Sequence, residues 1–136
     1  MKDNFILHFD TMPKGTAQQK GVYVLNGKPR FYVKEKIESA RRQFIYALKP
    51  HAPKEPSDKC IKLTVHFFFD VKDKSKWGKW KPSRPDADGI IKEFLDAMGD
   101  CRFFKNDSQV VDLRVRKSYA GNAEIFVIWE ELGDRP

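Results

Sequence analysis

Two aspartates stand two residues apart, Asp86 and Asp88, and behind them Ile91, Phe94, Leu95 and Met98 repeat at the i, i+3, i+4, i+7 spacing of one helical face. The carboxylates therefore mark a helix entrance, where Asp88 can cap the free N–H groups of the first turn and the helix dipole favours an anion. One cap needs one acceptor. The second carboxylate adds like-charge repulsion unless a cation lies between them, and a divalent metal supplies one. Gly99 reads as the helix stop, and the turn Lys105-Asn106-Asp107-Ser108 offers a third carboxylate, Asp107. Three carboxylates converging from a loop, a helix entrance and a turn suit Mg²⁺, which takes oxygen ligands, keeps several waters and shares phosphate oxygens with a substrate. The chemistry expected is hydrolysis of a phosphodiester by metal-activated water. Lys92 lies four residues after Asp88 on the same helix face. It either pairs with Asp88 or Asp96 at i, i+4 spacing or steadies charge developing at a phosphate.

Directly before the aspartates runs Lys72-Asp73-Lys74-Ser75-Lys76-Trp77-Gly78-Lys79-Trp80-Lys81-Pro82-Ser83-Arg84-Pro85. A charge run by itself is a solvated loop, but two tryptophans in such filler are unusual. Interleaved cations and aromatics neutralise phosphates and offer surfaces on which splayed bases stack. Lys72, Lys74, Lys76, Trp77, Lys79, Trp80, Lys81 and Arg84 are therefore candidate DNA contacts; the competing reading is that Trp77 or Trp80 pins the loop to the core.

The elements that must position these groups follow from periodicity. Ile61, Leu63, Val65, Phe67 and Phe69 alternate with Lys62, Thr64, His66 and Phe68, the clearest strand in the chain. Phe5 to Phe9 predicts a first strand, and Val22–Leu25 and Arg30–Val33 flank Asn26-Gly27 as a hairpin whose Pro29 arm belongs at an edge. Ile37, Ala40, Phe44, Ile45 and Leu48 predict an amphipathic helix from about 34 to 48 that buries one stripe against a sheet, with Lys34, Lys36, Arg41 and Arg42 on solvated faces beside Glu35 and Glu38. Val111, Leu113 and Val115 alternate with Asp112, Arg114 and Arg116, so Asp112 reads as a partner of those arginines. Residues 118–122 then turn the chain into a last strand, 124–129, with a partly ordered polar tail from Glu130.

Composition bounds the function. At 136 residues the chain is expected to form one domain over 1–136. No apolar run is long enough for a membrane span, and Phe5 to Phe9, broken by His8, does not make a signal peptide. Cys60 and Cys101, with no CxxC and few histidines, argue against a zinc site and suit a reducing cytoplasm. The formal net charge of +7 favours a polyanionic partner.

The order Asp86-Ala87-Asp88, Lys92, Leu95-Asp96-Ala97-Met98 and Asn106-Asp107-Ser108-Gln109-Val110 resembles the signature of the RusA-type Holliday-junction resolvases. A short strand followed by Met12-Pro13-Lys14 and Gly27-Lys28-Pro29-Arg30 extends the resemblance over most of the chain. The resemblance implies a small, homodimeric, Mg²⁺-dependent endodeoxyribonuclease, with Mn²⁺ as an acceptable substitute. Such enzymes act on four-way junction DNA in recombination and repair and are often encoded by phages and prophages. Carried over position by position, the catalytic and metal-binding carboxylates fall on Asp86, Asp88 and Asp107 and the essential lysine on Lys92. This chain departs from the pattern at Gly89, where Asn is usual, and at Asn106, where a second Asp is frequent. The expected fold is one α/β (α+β) domain, a small mixed β-sheet packed with two principal helices, with a basic loop, disordered when free, over the site. Its expected place is the cytoplasm of a bacterial or phage-infected cell. Two other classes fit the residues: a non-catalytic structure-selective DNA-binding protein, whose binding survives loss of Mg²⁺ and of the carboxylates, and a nuclease acting on flaps or RNA.

Overall fold

The computed structural model describes residues 1–13, 20–25, 28–33 and 35–136, the side chains of 20–38 excepted. The Asn26-Gly27 turn, Lys14 and Lys34 lie outside the described residues. Among the described residues six strands and two principal helices follow one another: β1 Lys2–Phe9, β2 Lys20–Leu25, β3 Lys28–Val33, α1 Glu35–Leu48, β4 Cys60–Asp70, α2 Ala87–Asp100, β5 Val110–Ala120 and β6 Ala123–Leu132. A mixed four-stranded sheet has the order β1-β6-β4-β5, and β2 and β3 form a separate antiparallel pair. The small α+β architecture read from periodicity is the one found.

β4 and β5 are parallel neighbours, and α2 lies between them in the chain, so β4-α2-β5 is a crossover unit. The alternation in β4 has its expected consequence: Ile61, Leu63, Val65, Phe67 and Phe69 are buried, as are Ile125, Val127 and Trp129 of β6 beside them. On this face α2 contributes Ile90, Ile91, Phe94, Ala97 and Met98. The Phe94 ring meets Phe67 edge-on at 5.6 Å and Phe44 of α1 at 5.3 Å, so one aromatic ties sheet and both helices together.

Four expectations need correction. The α2 helix runs through Gly99; it is stopped by Arg102, which takes φ 62° and lets the N–H groups of Arg102 and Phe103 close on the carbonyls of Gly99 and Met98. Arg41 is not simply a solvated surface cation: its guanidinium reaches across to α2. Its Nε donates to Glu93 Oε1 at 2.5 Å and its Nη2 to Asp96 Oδ2 at 3.4 Å, because Glu93 is fully buried on α2 and has to be neutralised. β5 runs on through Ala120, and only Gly121 and Asn122 link it to β6. The polar tail is a strand as far as Leu132: Glu130 and Glu131 pair with Lys62 and Ile61, and Ser57 Oγ donates to Glu131 Oε2 at 2.6 Å.

Candidate active site

The helix entrance is built differently from the capped end that the spacing suggested. Asp86, not Asp88, occupies the N-cap, with φ −69° and ψ 146°, and its side chain makes no capping hydrogen bond. Its backbone carbonyl accepts from the Ile90 N–H at 3.0 Å. Asp88 lies within the first turn, and both residues are exposed. Helix capping therefore accounts for neither carboxylate. The dipole of α2 still lends the pair partial positive charge, which offsets some of their mutual repulsion.

What holds this entrance in place is Lys117 of β5, a residue that the motif spacing did not single out. Its Nζ donates to the carbonyls of Ser83 at 2.9 Å and Pro85 at 2.6 Å, so the ammonium grips the backbone that delivers Asp86. Burial pushes its pKa down, as does Lys81, while Asp86 and Tyr119 act the other way. Around it stand Lys76 and Lys81, each over the Tyr119 ring, at 5.6 and 5.1 Å. A hydrogen bond to Ser83 lowers the Tyr119 pKa, and Lys81, Lys76 and Lys117 add to the effect. The signal available in the sequence was phase: Lys117 keeps the odd-numbered register of Leu113 and Val115, which points a charge to the core side of β5.

The Lys72–Pro85 segment is an ordered edge rather than a free loop. Gly78 N–H donates to the Tyr119 carbonyl, Tyr119 N–H to that of Lys79 and Lys81 N–H to that of Lys117, so residues 78–81 extend the sheet along the end of β5. A hydrogen-bonded backbone at a sheet edge has no reason to melt. The two tryptophans divide the two roles weighed for them. Trp77 is a pin: its Nε1 donates to the Val71 carbonyl at 2.8 Å, and its ring lies so close to Gly121 that a Cβ there would sit 3.0 Å from Cζ2. Trp80 is 66% exposed, with His66 stacked at 6.2 Å and the Arg116 guanidinium 5.8 Å from its ring centroid. His66, partly buried and near Arg116, has its pKa lowered, and its ring nitrogen bonds Ser118 Oγ. Lys74 lies over Trp77, Lys81 donates to Ser83 Oγ at 2.7 Å, and Lys72, Lys79 and Arg84 are exposed.

Lys92 is exposed on α2, and among the described residues it makes no ion pair; Asp96 is taken by Arg41. Asp107 opens a single 3-10 turn, Asp107–Gln109, at the start of β5. The turn is held by Asn106, whose Oδ1 accepts from Ser108 N–H while Gln109 Oε1 accepts from Asn106 N–H. Asn106 thus does the capping, and the Asp107 carboxylate stays exposed and uncommitted.

The three aspartates do not converge within one chain. In a crossover unit the helix returns against the strands, so its entrance lies at one end of the sheet and the start of the next strand at the other. The 14 residues of α2 separate the two ends by about 21 Å, at about 1.5 Å per residue. Accordingly, among the described residues no group of three acidic, histidine or cysteine side chains could hold a metal ion. What one chain offers is the Asp86/Asp88 pair. Two free, exposed carboxylates fit Mg²⁺, which binds through one or two of them and fills its shell with water and phosphate.

The chain is 37% identical over 123 residues to the crossover junction endodeoxyribonuclease rusA of Lactococcus phage r1t, covering 86% of this chain and 88% of that protein. It is also 37% identical over 62 residues to the uncharacterised protein YqaN of Bacillus subtilis strain 168, covering 45% of this chain and 43% of that one. The family model for endodeoxyribonuclease RusA matches residues 10–129, a span that contains the α2 entrance, the basic edge and Asp107, and the chain belongs to that family.

Proposed function

We propose that this chain is a Mg²⁺-dependent endonuclease that resolves four-way DNA junctions by paired, symmetric cuts, acting as a homodimer in the cytoplasm of a bacterial or phage-infected cell. The observation that carries the reading is the uncapped Asp86/Asp88 pair, held by Lys117 at the foot of a cationic edge, in a chain that belongs to the endodeoxyribonuclease RusA family. The phage relative's name supplies the junction as substrate.

Asp86 and Asp88 would hold the ion; Asp107, which one chain keeps at the far end of α2, would join them as a third ligand only from the second copy of the dimer. When bound, the metal supplies a water of lowered pKa and positive charge at the scissile phosphate. The chain's own side chains do the rest. Lys117 fixes the segment that ends in Asp86. Lys92, one turn beyond Asp88 and unpaired among the described residues, is placed to hold a phosphate oxygen. Lys72, Lys79 and Arg84 present exposed charge to the DNA backbone, and Trp80 an exposed ring to a splayed base. Paired cuts across a two-fold junction call for two sites related by a two-fold axis, which is the reason for a dimer.

The test is cleavage of a mobile four-way junction by wild type and Asp88→Asn, with Mg²⁺ and with EDTA, beside a gel shift on the same DNA. Wild type with Mg²⁺ should give paired nicks, and Asp88→Asn should bind within a few-fold of wild type and cut at least about 100-fold more slowly. If both proteins bind and neither cuts under any divalent metal, the enzyme reading is wrong and the cationic edge is the functional centre.

A further inference from the structure

Both principal helices pack on one face of the four-stranded sheet, the face of Leu63, Val65 and Phe67, through Phe94 and Phe44. Neither lies on the other face. A sheet face turned to water carries polar side chains in alternation with the apolar ones beneath, and the middle of this one departs from that rule. Its outward positions are Ile6 of β1, Phe126 and Ile128 of β6, and His66 and Phe68 of β4; Ile6 is 47% exposed and the others are half-buried. Register joins them into one band. Ile6 pairs with Phe126, Phe126 with His66, and His66 with Arg116 of β5, a row that crosses all four strands.

An aromatic stack closes the band at its β5 end. The His66 ring lies on Phe68 at 4.0 Å and 19°, and Trp80, bridged to Ser118, is stacked beyond it at 6.2 Å and 23°. The bond to Ser118 Oγ holds the imidazole in this orientation. The Arg116 guanidinium stands 5.8 Å from the Trp80 centroid, and Arg114 is exposed in the next row, beside Thr64. Asp112, expected to partner these arginines, does not: no ion pair joins it to either. Glu124, opposite Phe68 on the same face, is taken by His8 at 3.0 Å. The aromatic band is therefore flanked by two arginines without an acidic partner among the described residues.

We infer that this open face is a platform for an unpaired stretch of DNA, whose bases lie on the band from Trp80 through His66 and Phe68 to Phe126 and whose phosphates meet Arg114 and Arg116.

The chemistry of the face selects the ligand. Rings at a sheet surface are complementary to a flat π-face. Every nucleobase has one, but only an unpaired base presents it, since in a duplex both faces are covered by neighbouring pairs. Arginines beside the rings supply phosphate contacts that hold such a strand without reading its sequence. From β1 to β5 the band crosses three strand spacings, about 14 Å at about 4.8 Å each, which suits two or three bases. A protein surface could cover the apolar side chains, but it would leave two cations at their margin to be neutralised; a polyanion brings its own charge. Trp80 belongs both to this face and to the 78–81 segment of the basic edge, so a strand that follows the edge runs onto the platform. Branched DNA provides unpaired bases beside duplex arms. The choice of DNA rests on the proposed function; the platform rests on rings, register and charge.

Binding without cutting tests the inference on the full-length chain. Fluorescence anisotropy in EDTA compares a labelled oligothymidylate of about 12 nucleotides, within the range of a small single-strand site, with a blunt duplex of the same length. Phe126→Thr and Phe68→Thr, which keep strand propensity, should each weaken oligothymidylate binding by about 5- to 100-fold and leave duplex binding within about twofold. Arg114→Gln/Arg116→Gln should flatten the slope of log affinity against log salt by about 1.4, at about 0.7 per contact with a single strand. Threonine variants that fold by circular dichroism and bind oligothymidylate like wild type overturn the platform. A Phe126→Thr variant that loses a partner copy by light scattering and keeps its oligothymidylate affinity gives the face to protein contact, and also overturns it. Wild type needs no substitution in the second measurement, photo-cross-linking to an oligonucleotide carrying 5-iododeoxyuridine. Cross-links should map to Phe126 and Phe68 as well as Trp80; cross-links confined to residues 72–85 overturn the platform. A chain that cuts no DNA yet binds oligothymidylate through these side chains would end the nuclease reading and keep the platform. A chain that resolves junctions while the folded variants bind unchanged would do the reverse.

Discussion

Lys117 sits on the inward stripe of β5, where an ammonium has to find acceptors, and the acceptors that it finds are the carbonyls of Ser83 and Pro85. A charge-assisted donor between two carbonyls does what no apolar residue can do there: it fixes the path of the backbone one residue before Asp86. Lys117→Met keeps the stem and removes the donors. Misplacement of a reacting group by about 1 Å can cost about 100-fold in rate. Single-turnover cleavage by Lys117→Met should therefore fall by about 10- to 100-fold, while junction affinity, read by gel shift, stays within about threefold because the exposed cations are untouched. A variant that lost affinity and kept its cleavage rate would make Lys117 a phosphate contact instead. Residue spacing alone could not assign this role, because the partners of Lys117 lie 34 and 32 positions away. The motif Asp86-Ala87-Asp88 was legible at this scale; the reason its carboxylates are free was not, since it depends on which residue takes the N-cap.

Between elements, the join between α1 and α2 carries a buried charge. Glu93 is fully buried, with Oε1 held by Arg41 and Oε2 without a hydrogen-bond partner among the described residues. The hydrogen bond to Glu93 raises the Arg41 pKa, with burial opposing and the charges of Glu93, Asp96 and Asp100 assisting, so the guanidinium keeps its charge. Removing one partner from a buried ion pair costs roughly 3 to 5 kcal/mol. The Arg41 side chain is 40% exposed, and solvent screening places Arg41→Met at the low end, about 3 kcal/mol. Urea unfolding of Arg41→Met should show that loss, and Arg41→Met/Glu93→Leu, which removes both charges, should recover most of it. A double variant as unstable as the single one would mean that packing and not charge joins the helices. Both helices were legible as elements, because their apolar residues keep a 3.6-residue period. The pairing was not, because a glutamate inside a helical face looks like any exposed position until the facing element is known. The same limit explains Gly99: a glycine near a helix end suggests a stop, but the stop fell three residues later, at Arg102, where the carbonyls of Met98 and Gly99 are satisfied.

Across the whole molecule, the parallel pairing of β4 and β5 decides what one chain can bring together. Alternating apolar residues identified both strands but carried no information on their relative direction, and direction is what parts Asp107 from Asp86. The charge of +7 is equally silent on location until the fold places it. The fold puts Lys72, Lys79 and Arg84 at the surface of one edge segment without ion pairs among the described residues, while Lys74, Lys76 and Lys81 lean on rings and Lys117 is spent on the backbone. Only charges that reach phosphates release counterions. For duplex DNA each such contact adds about 0.9 to the slope of log affinity against log salt. Replacing Lys72, Lys79 and Arg84 together by Ala should therefore flatten that slope by about 2.7 and weaken junction binding most at low salt, with Asp88→Asn as the background so that no DNA is cut. Trp80→Ala on the same background should leave the slope unchanged and lower affinity at every salt, since stacking carries no counterion term, by about 1 to 3 kcal/mol if a base stacks there. A triple variant whose slope matches the parent's would remove the 72–84 edge from the DNA-binding surface and shift the search to Arg114 and Arg116 on the open face of the sheet.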